Sequence, residues 1–147
     1  MKTLRFKPVG HVESPLTDRA SAPKQGGKGS PLAWLVFDKS MREALRDLRV
    51  GEDVIVLTWL DRANRDVLRV HPRGDRTRPE LGVFSTRSPD RPNPIGLHRV
   101  KIISIEDVLR IQVKDLEALH MTPILDPQAG ISRRLLTSAP GHLSFPP

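Results

Sequence analysis

Apolar and polar residues alternate along much of this chain, and prolines and glycines fill the stretches between. Leu4, Phe6, Val9 and Val12 recur among polar neighbours, which predicts a first strand over residues 4–13. Ser14-Pro15 ends it, and residues 14–31, rich in proline and glycine, read as loop. Leu32 to Phe37 is a short apolar run that predicts a buried strand. Met41, Ala44, Leu45 and Leu48 share one helical face. Ser40 with Glu43 three residues later makes a capping box, and Gly51 suits a left-handed C-terminal cap, so a helix is expected at about 40–50. Val54 to Leu60 predicts a central strand, Asp66 to His71 a weaker one, and Leu81 to Phe84 a short one. Residues 72–80 read as loop, and three prolines exclude regular structure over 85–96. Val100 to Ile105 and Leu109 to Val113 then form the two arms of a β-hairpin that turns at Glu106-Asp107.

Strands outnumber the single helix and do not alternate with helices, which disfavours a parallel α/β sheet. The expected fold is all-β, mainly antiparallel: a barrel or closed sheet with one short α-helix. No internal repeat is visible. Residues 1–126 read as the barrel domain and 127–147, with four prolines and two glycines, as a C-terminal arm or dimer strap.

Composition narrows the function. The chain has 147 residues and no cysteine, so disulfides and thiolate metal sites are excluded, and a reducing, cytoplasmic setting is compatible. No apolar run approaches the roughly 20 residues that span a bilayer, and the start does not resemble a signal peptide. The formal charge is +7, which favours polyanionic partners. Arg62, Arg65, Arg69, Arg73, Arg76, Arg78, Arg87 and Arg91 crowd one central stretch, whereas aromatic residues are few. Gly26-Gly27-Lys28-Gly29-Ser30 lacks the spacing of a phosphate loop and reads as a flexible one. No G-x-G-x-x-G or G-x-S-x-G occurs, and the histidines show no ligand spacing, so no metal is expected.

The segment Gly82-Val83-Phe84-Ser85-Thr86-Arg87-Ser88-Pro89-Asp90-Arg91-Pro92-Asn93-Pro94-Ile95-Gly96 stands apart. Three prolines fix its backbone and lower the entropy lost on ordering it, so it is a pre-shaped surface that carries arginines, an asparagine and hydroxyls. A stiff crossover between strands and a ligand-capturing loop would both look like this.

This segment closely resembles the signature of the TsaA-like, or TrmO, family of tRNA methyltransferases. A second matching element runs from Asp115 through Leu116-Glu117-Ala118-Leu119-His120-Met121-Thr122-Pro123-Ile124-Leu125 to Asp126, and a third is Pro23-Lys24-Gln25. Order and spacing agree over residues 4 to about 126. The resemblance implies a single-sheeted β-barrel that binds S-adenosylmethionine, works as a homodimer, and methylates N6 of threonylcarbamoyladenosine beside the tRNA anticodon, at position 37.

It also implies roles by position. Cofactor contacts fall on Lys24, Gln25, Asp61, Arg62, Arg87, Leu97, Thr122, Pro123, Ile124 and Leu125. Arg87 suits the cofactor carboxylate, because a guanidinium grips a carboxylate with two parallel hydrogen bonds. Asp61 or Asp126 could offset the sulfonium charge. Arg91 and Asn93 are candidates for holding the target base, and Asp126 for a general base. Arg65, Arg69, Arg73, Arg76 and Arg78 are candidate phosphate contacts in tRNA. The chain departs from the family pattern where His120-Met121 replaces Asp-Gly and Pro127-Gln128-Ala129-Gly130 replaces Ile-Lys-Pro-Tyr. Two other readings therefore stay open: a methyltransferase of this fold with a different RNA or small-molecule acceptor, and a non-catalytic module that binds S-adenosylmethionine or RNA.

Overall fold

Alternation closes this chain into a barrel. The computed structural model describes residues 1–19 and 31–130. In chain order its elements are β1 (Gly10–Glu13), β2 (Ala33–Phe37), α1 (Arg42–Leu45), β3 (Asp53–Trp59), β4 (Arg69–Val70), β5 (Leu81–Gly82), β6 (Ile95–Glu106), β7 (Arg110–Lys114) and β8 (Pro123–Ala129). Six strands form a closed barrel in the order β1-β2-β7-β6-β3-β8, every neighbouring pair antiparallel, with β8 returning to β1. The fold is thus the expected one. β4 and β5 form a separate two-stranded arm within the connection from β3 to β6.

Each wall strand sends every second residue inward. Val54, Val56 and Thr58 of β3 are buried, while Ile55, Leu57 and Trp59 face outward and stay partly exposed. Val12, Leu35, Val56, Val100, Ile102, Ile111, Val113 and Ile124 fill the interior. Burying a branched aliphatic side chain contributes about 1.5–3 kcal/mol, so this layer is the main stabilising element. Gly10 is needed where β1 crosses β2, because a Cβ there would meet the Val36 carbonyl oxygen at 2.3 Å.

Several expected elements are shorter than predicted. The first strand begins only at Gly10; Val9 just before it still donates to the Ile124 carbonyl at 2.8 Å and accepts from the Asp38 N–H at 2.9 Å, whereas Leu4 and Phe6 stay exposed. Phe6 lies against Trp59 on the outside of the wall. The helix is a single α turn preceded by a 3₁₀ turn at Lys39–Met41. Its start is capped by Asp38, which accepts the Ser40 N–H at 3.1 Å, and not by the predicted Ser40–Glu43 box. Leu45 is buried, with Met41 and Leu48 packed beside it. The helix ends at Leu45, well before Gly51; Gly51, at φ +91°, turns the chain so that its N–H reaches the Ile102 carbonyl at 2.9 Å. The hairpin turns at Asp107-Val108, both left-handed, one residue later than predicted.

Two elements run where loop was expected. β6 begins at Ile95, directly after Pro94, and pairs β3 with its first half and β7 with its second. β8 spans Pro123–Ala129 and continues past residue 126; the stretch 131–147 lies outside the described residues. No helix among the described residues is long and apolar enough to cross a membrane.

Candidate functional site

The registers bring three connections to one end of the barrel: β1 to β2, β3 to β6, and β7 to β8. The opposite end carries α1 and the β6–β7 turn. The two described sequence elements that resembled the family, 82–96 and 115–126, reach the first of these ends, hereafter the rim; Pro23, Lys24 and Gln25 lie outside the described residues.

Hydrogen bonds tie the rim segments together. Arg19 grips the Asp90 carboxylate with both terminal nitrogens at 3.0 Å, and the Asn64 N–H donates to Asp90 at 2.9 Å. Burial acts to raise the Asp90 pKa, but these hydrogen bonds and the Arg19 charge outweigh it and hold the carboxyl below its usual range. Arg62 donates to the Thr17 carbonyl at 2.6 Å. The Ser14 N–H donates to His120 Nδ1 at 3.2 Å, and the His120 N–H to the Leu16 carbonyl at 2.7 Å.

Buried and side-chain contacts hold the proline-rich segment in place. Val83 anchors it in the core at 2% exposure. Arg91 donates to the carbonyls of Val83 and Thr86 and lies 6.0 Å from the Phe84 ring centre. Arg65 donates to the Pro92 carbonyl at 2.7 Å and to Asn93 Oδ1 at 3.0 Å, with its guanidinium 5.3 Å from the Trp59 ring centre. Pro94 is fully buried.

Where this segment enters β6, the barrel interior turns polar. Gly96 pairs with Thr58, and a Cβ on Gly96 would meet Thr58 Oγ1 at 2.4 Å and His98 Nε2 at 2.6 Å. Thr58, fully buried, shares a 2.8 Å hydrogen bond with His98 Nε2. Desolvation first, and then the nearby Arg87 charge, push the His98 pKa down to about 4, so the imidazole is neutral at physiological pH. Desolvation raises the Glu117 pKa, and the Arg87 charge partly opposes it. Arg87 thus stands between a neutral imidazole and a partly buried carboxyl. It donates through one Nη to the Leu97 carbonyl. Among the described residues no carboxylate lies within ion-pair distance of Arg87, so its other donors can take an external anionic group.

The remaining predicted positions divide. Thr122 is buried and donates its hydroxyl to the Leu119 carbonyl at 2.7 Å, and Ile124 is a core side chain, so any ligand contact there must use backbone. Leu125 supplies that opportunity. Leu57 pairs with Asp126 and Thr58 with Ile124, leaving Leu125 as an extra residue in a β-bulge. Pro123 opens β8 at the rim. Asp126 is exposed and accepts from Gln128 Nε2 at 2.8 Å; Asp61 is exposed on the loop after β3. Met121, at the position of the family's glycine, holds φ +70°, a conformation that glycine adopts without strain.

Of the five candidate phosphate contacts, Arg65 is engaged with the proline-rich segment and Arg78 pairs with Asp75 at 3.5 Å. Arg69 and Arg76 are exposed on the β4–β5 arm and make no ion pair among the described residues. Arg73 sits there too, in a left-handed turn at φ +55°. No cluster of histidine and carboxylate side chains among the described residues could hold a metal ion.

Sequence reasoning did not single out Thr58, His98, Glu117, Arg19 or Asp90 as site residues. One signal was present: counted back in twos from Val100, His98 and Gly96 fall on the inward face, and so does Thr58 from Val56. A polar pair at inward positions of two adjacent strands marks a place where the core is not merely packed.

Residues 11–129 match the tRNA-methyltransferase O N-terminal domain family. A probable S-adenosyl-L-methionine-binding protein of Methanothermobacter thermautotrophicus is 42% identical over 84% of this chain and 87% of its own length. An S-adenosyl-L-methionine-binding protein of Archaeoglobus fulgidus is 41% identical over 82% of this chain and 85% of its own. The crystal structure of TrmO from Pseudomonas aeruginosa superposes with a TM-score of 0.70 at 23% identity, covering 97% of this chain and 62% of that one. The latter likeness is one of fold, and this chain spans 62% of the solved protein, just under two thirds of it.

Proposed function

The chain belongs to the tRNA-methyltransferase O N-terminal domain family, and on that premise we propose that it is an S-adenosylmethionine-dependent tRNA methyltransferase acting on N6 of threonylcarbamoyladenosine at position 37. The observation that carries the reading is Arg87: a guanidinium with no carboxylate partner among the described residues, fixed to the Leu97 carbonyl on a rigid rim. An amino-acid carboxylate fits it by charge and by fork geometry. The bulged backbone at Leu125 offers hydrogen-bonding groups for an adenine edge, and Glu117 supplies negative charge near Arg87. These residues fit the cofactor named for both archaeal relatives.

The cofactor supplies an activated methyl group on a sulfonium. The protein's task is to align the acceptor nitrogen with that methyl and keep water out. Orientation alone is worth roughly 7–11 kcal/mol in well-aligned reactions. Acylation at N6 makes its proton more acidic than that of plain adenine, so a strong general base is unnecessary. Asp126, exposed in the middle of β8, is the candidate proton acceptor, and Arg91 braces the segment that presents Asn93.

Arg69, Arg73 and Arg76 on the β4–β5 arm are the proposed phosphate contacts. Ile95 and Leu97, 37% and 49% exposed, stand side by side with Leu57 and Trp59 on the outer wall. This apolar strip supports a homodimer, and a tRNA substrate sets the reaction in the cytoplasm.

Calorimetric titration with S-adenosylmethionine, followed by transfer of its labelled methyl group to bulk tRNA, tests the reading. Binding and transfer are expected. Binding without transfer to any RNA would leave a cofactor-binding module and contradict the enzyme.

A further inference from the structure

Asn93 is fixed at its backbone and, we find, at its side chain. Pro94 beyond it is buried; the Ile95 N–H donates back to the Asn93 carbonyl at 2.8 Å, and the Leu60 N–H donates to the Pro94 carbonyl at 2.8 Å. These contacts pin the Cα and leave only the amide free to turn.

Arg65 removes that freedom. Its guanidinium stacks over Trp59, donates Nε–H to the Pro92 carbonyl and Nη2–H to Asn93 Oδ1. A guanidinium carries donors and no acceptor, so the amide atom facing it must be the carbonyl oxygen. The NH₂ group is thereby turned the other way. Among the described residues, the Asn93 side chain makes one hydrogen bond, the one it accepts from Arg65.

We propose that Arg65 is a positioning residue: it locks the Asn93 amide so that its NH₂ is presented outward as a hydrogen-bond donor to an acceptor atom, a carbonyl oxygen or ring nitrogen, on the methyl-accepting nucleobase unit. The proposal rests on the methyltransferase reading above and goes beyond it in two ways. It moves Arg65 from the set of phosphate contacts to the set that organises the acceptor site. It also gives the site a polarity, since a substrate presenting a donor at that point would be disfavoured.

Two substitutions separate this role from a structural one. Asn93→Asp keeps an oxygen for Arg65 and adds charge, so the brace survives or strengthens, but the outward donor becomes an acceptor. Arg65→Met keeps apolar packing on Trp59 and removes the donors. The expected result for Asn93→Asp is unchanged melting and cofactor affinity with kcat/KM for tRNA lowered on the order of 100-fold. For Arg65→Met, kcat falls about 10-fold at unchanged cofactor KM, and the double variant is no worse than Asn93→Asp alone, because the two residues act as one unit. In the same proteins, nitrogen relaxation of the Asn93 NH₂ should report a rigid amide in the parent and a mobile one in Arg65→Met. Full activity of Asn93→Asp would overturn the proposal while leaving the methyltransferase reading intact. A parent protein inactive on every tRNA would end that reading; the relaxation measurement still decides the brace, and an equally mobile amide in parent and variant would sink it.

Discussion

The two ends of the barrel are joined by the same six strands but held by different chemistry. At the helix end, connections pack against the core: Leu45 is buried, Gly51 turns the chain back into the sheet, and Asp107-Val108 makes a tight turn. At the rim, the connection from β3 to β6 is rich in proline and arginine, and the segments are held by side chains that donate to backbone carbonyls. Arg62, Arg65, Arg87 and Arg91 each bind a carbonyl of a neighbouring or local segment. A guanidinium tethered through one or two of its five N–H groups keeps others for a ligand. The helix end is organised to be stable, and the rim to be rigid while leaving polar groups available.

That contrast can be broken experimentally, and the largest effect is expected where rim and core meet. Gly96→Ala drives a methyl group into Thr58 and His98, and should lower stability by about 3 kcal/mol, read as a fall in denaturation midpoint. A variant as stable as the parent would mean that the polar pair yields easily.

His98 gives a pH test. The folded protein holds it neutral down to about pH 4, while in the unfolded chain it takes up a proton near its ordinary value of 6.5. Its contribution is therefore fully present above pH 6.5 and declines as pH falls from 6.5 to about 4, by on the order of 3 kcal/mol. His98→Gln keeps a partner for Thr58 and should flatten that part of the stability–pH curve. An unchanged slope would mean that His98 titrates normally.

Arg87→Ala should weaken binding of S-adenosylmethionine about 30-fold, roughly 2 kcal/mol, with a change in melting of no more than about 0.5 kcal/mol. Equal affinity would remove Arg87 from the cofactor site. Reversing Arg69 and Arg76 to Glu should weaken tRNA binding about 10-fold or more, flatten its salt dependence, and leave cofactor binding unchanged. The smallest effect belongs to the helix end. Gly51→Ala, at φ +91°, should cost about 1 kcal/mol and leave methyl transfer at parental rate; lost activity would show that the two ends are coupled.

How much of this was legible depended on whether local pattern or long-range pairing decides the outcome. β2, β3 and the β6–β7 hairpin alternate or run apolar within themselves, and each was visible. β8 was not, because Pro123 and Pro127 argue against a strand; both are accommodated in β8 by the neighbouring strands β1 and β3. The first strand was over-read because alternation alone does not show where strand pairing stops: Val9 still bonds to β8, but Leu4 and Phe6 lie exposed outside the strand. The proline-rich segment could be picked out by its stiffness and its resemblance, but its internal contacts could not. Arg65 looked like one more member of a basic cluster, since nothing local reveals that residue 65 faces residue 93. Arg19 and Asp90, 71 positions apart, are hidden for the same reason.

The most direct test of the account is transfer of a labelled methyl group from S-adenosylmethionine to threonine tRNA, with and without the threonylcarbamoyl group on its anticodon-loop adenosine. The account predicts incorporation into the modified tRNA alone, at N6 of that nucleoside. Incorporation into unmodified tRNA, or none into either with the cofactor bound, would contradict it and turn attention to the His120–Gly130 segment, where this chain departs from its family.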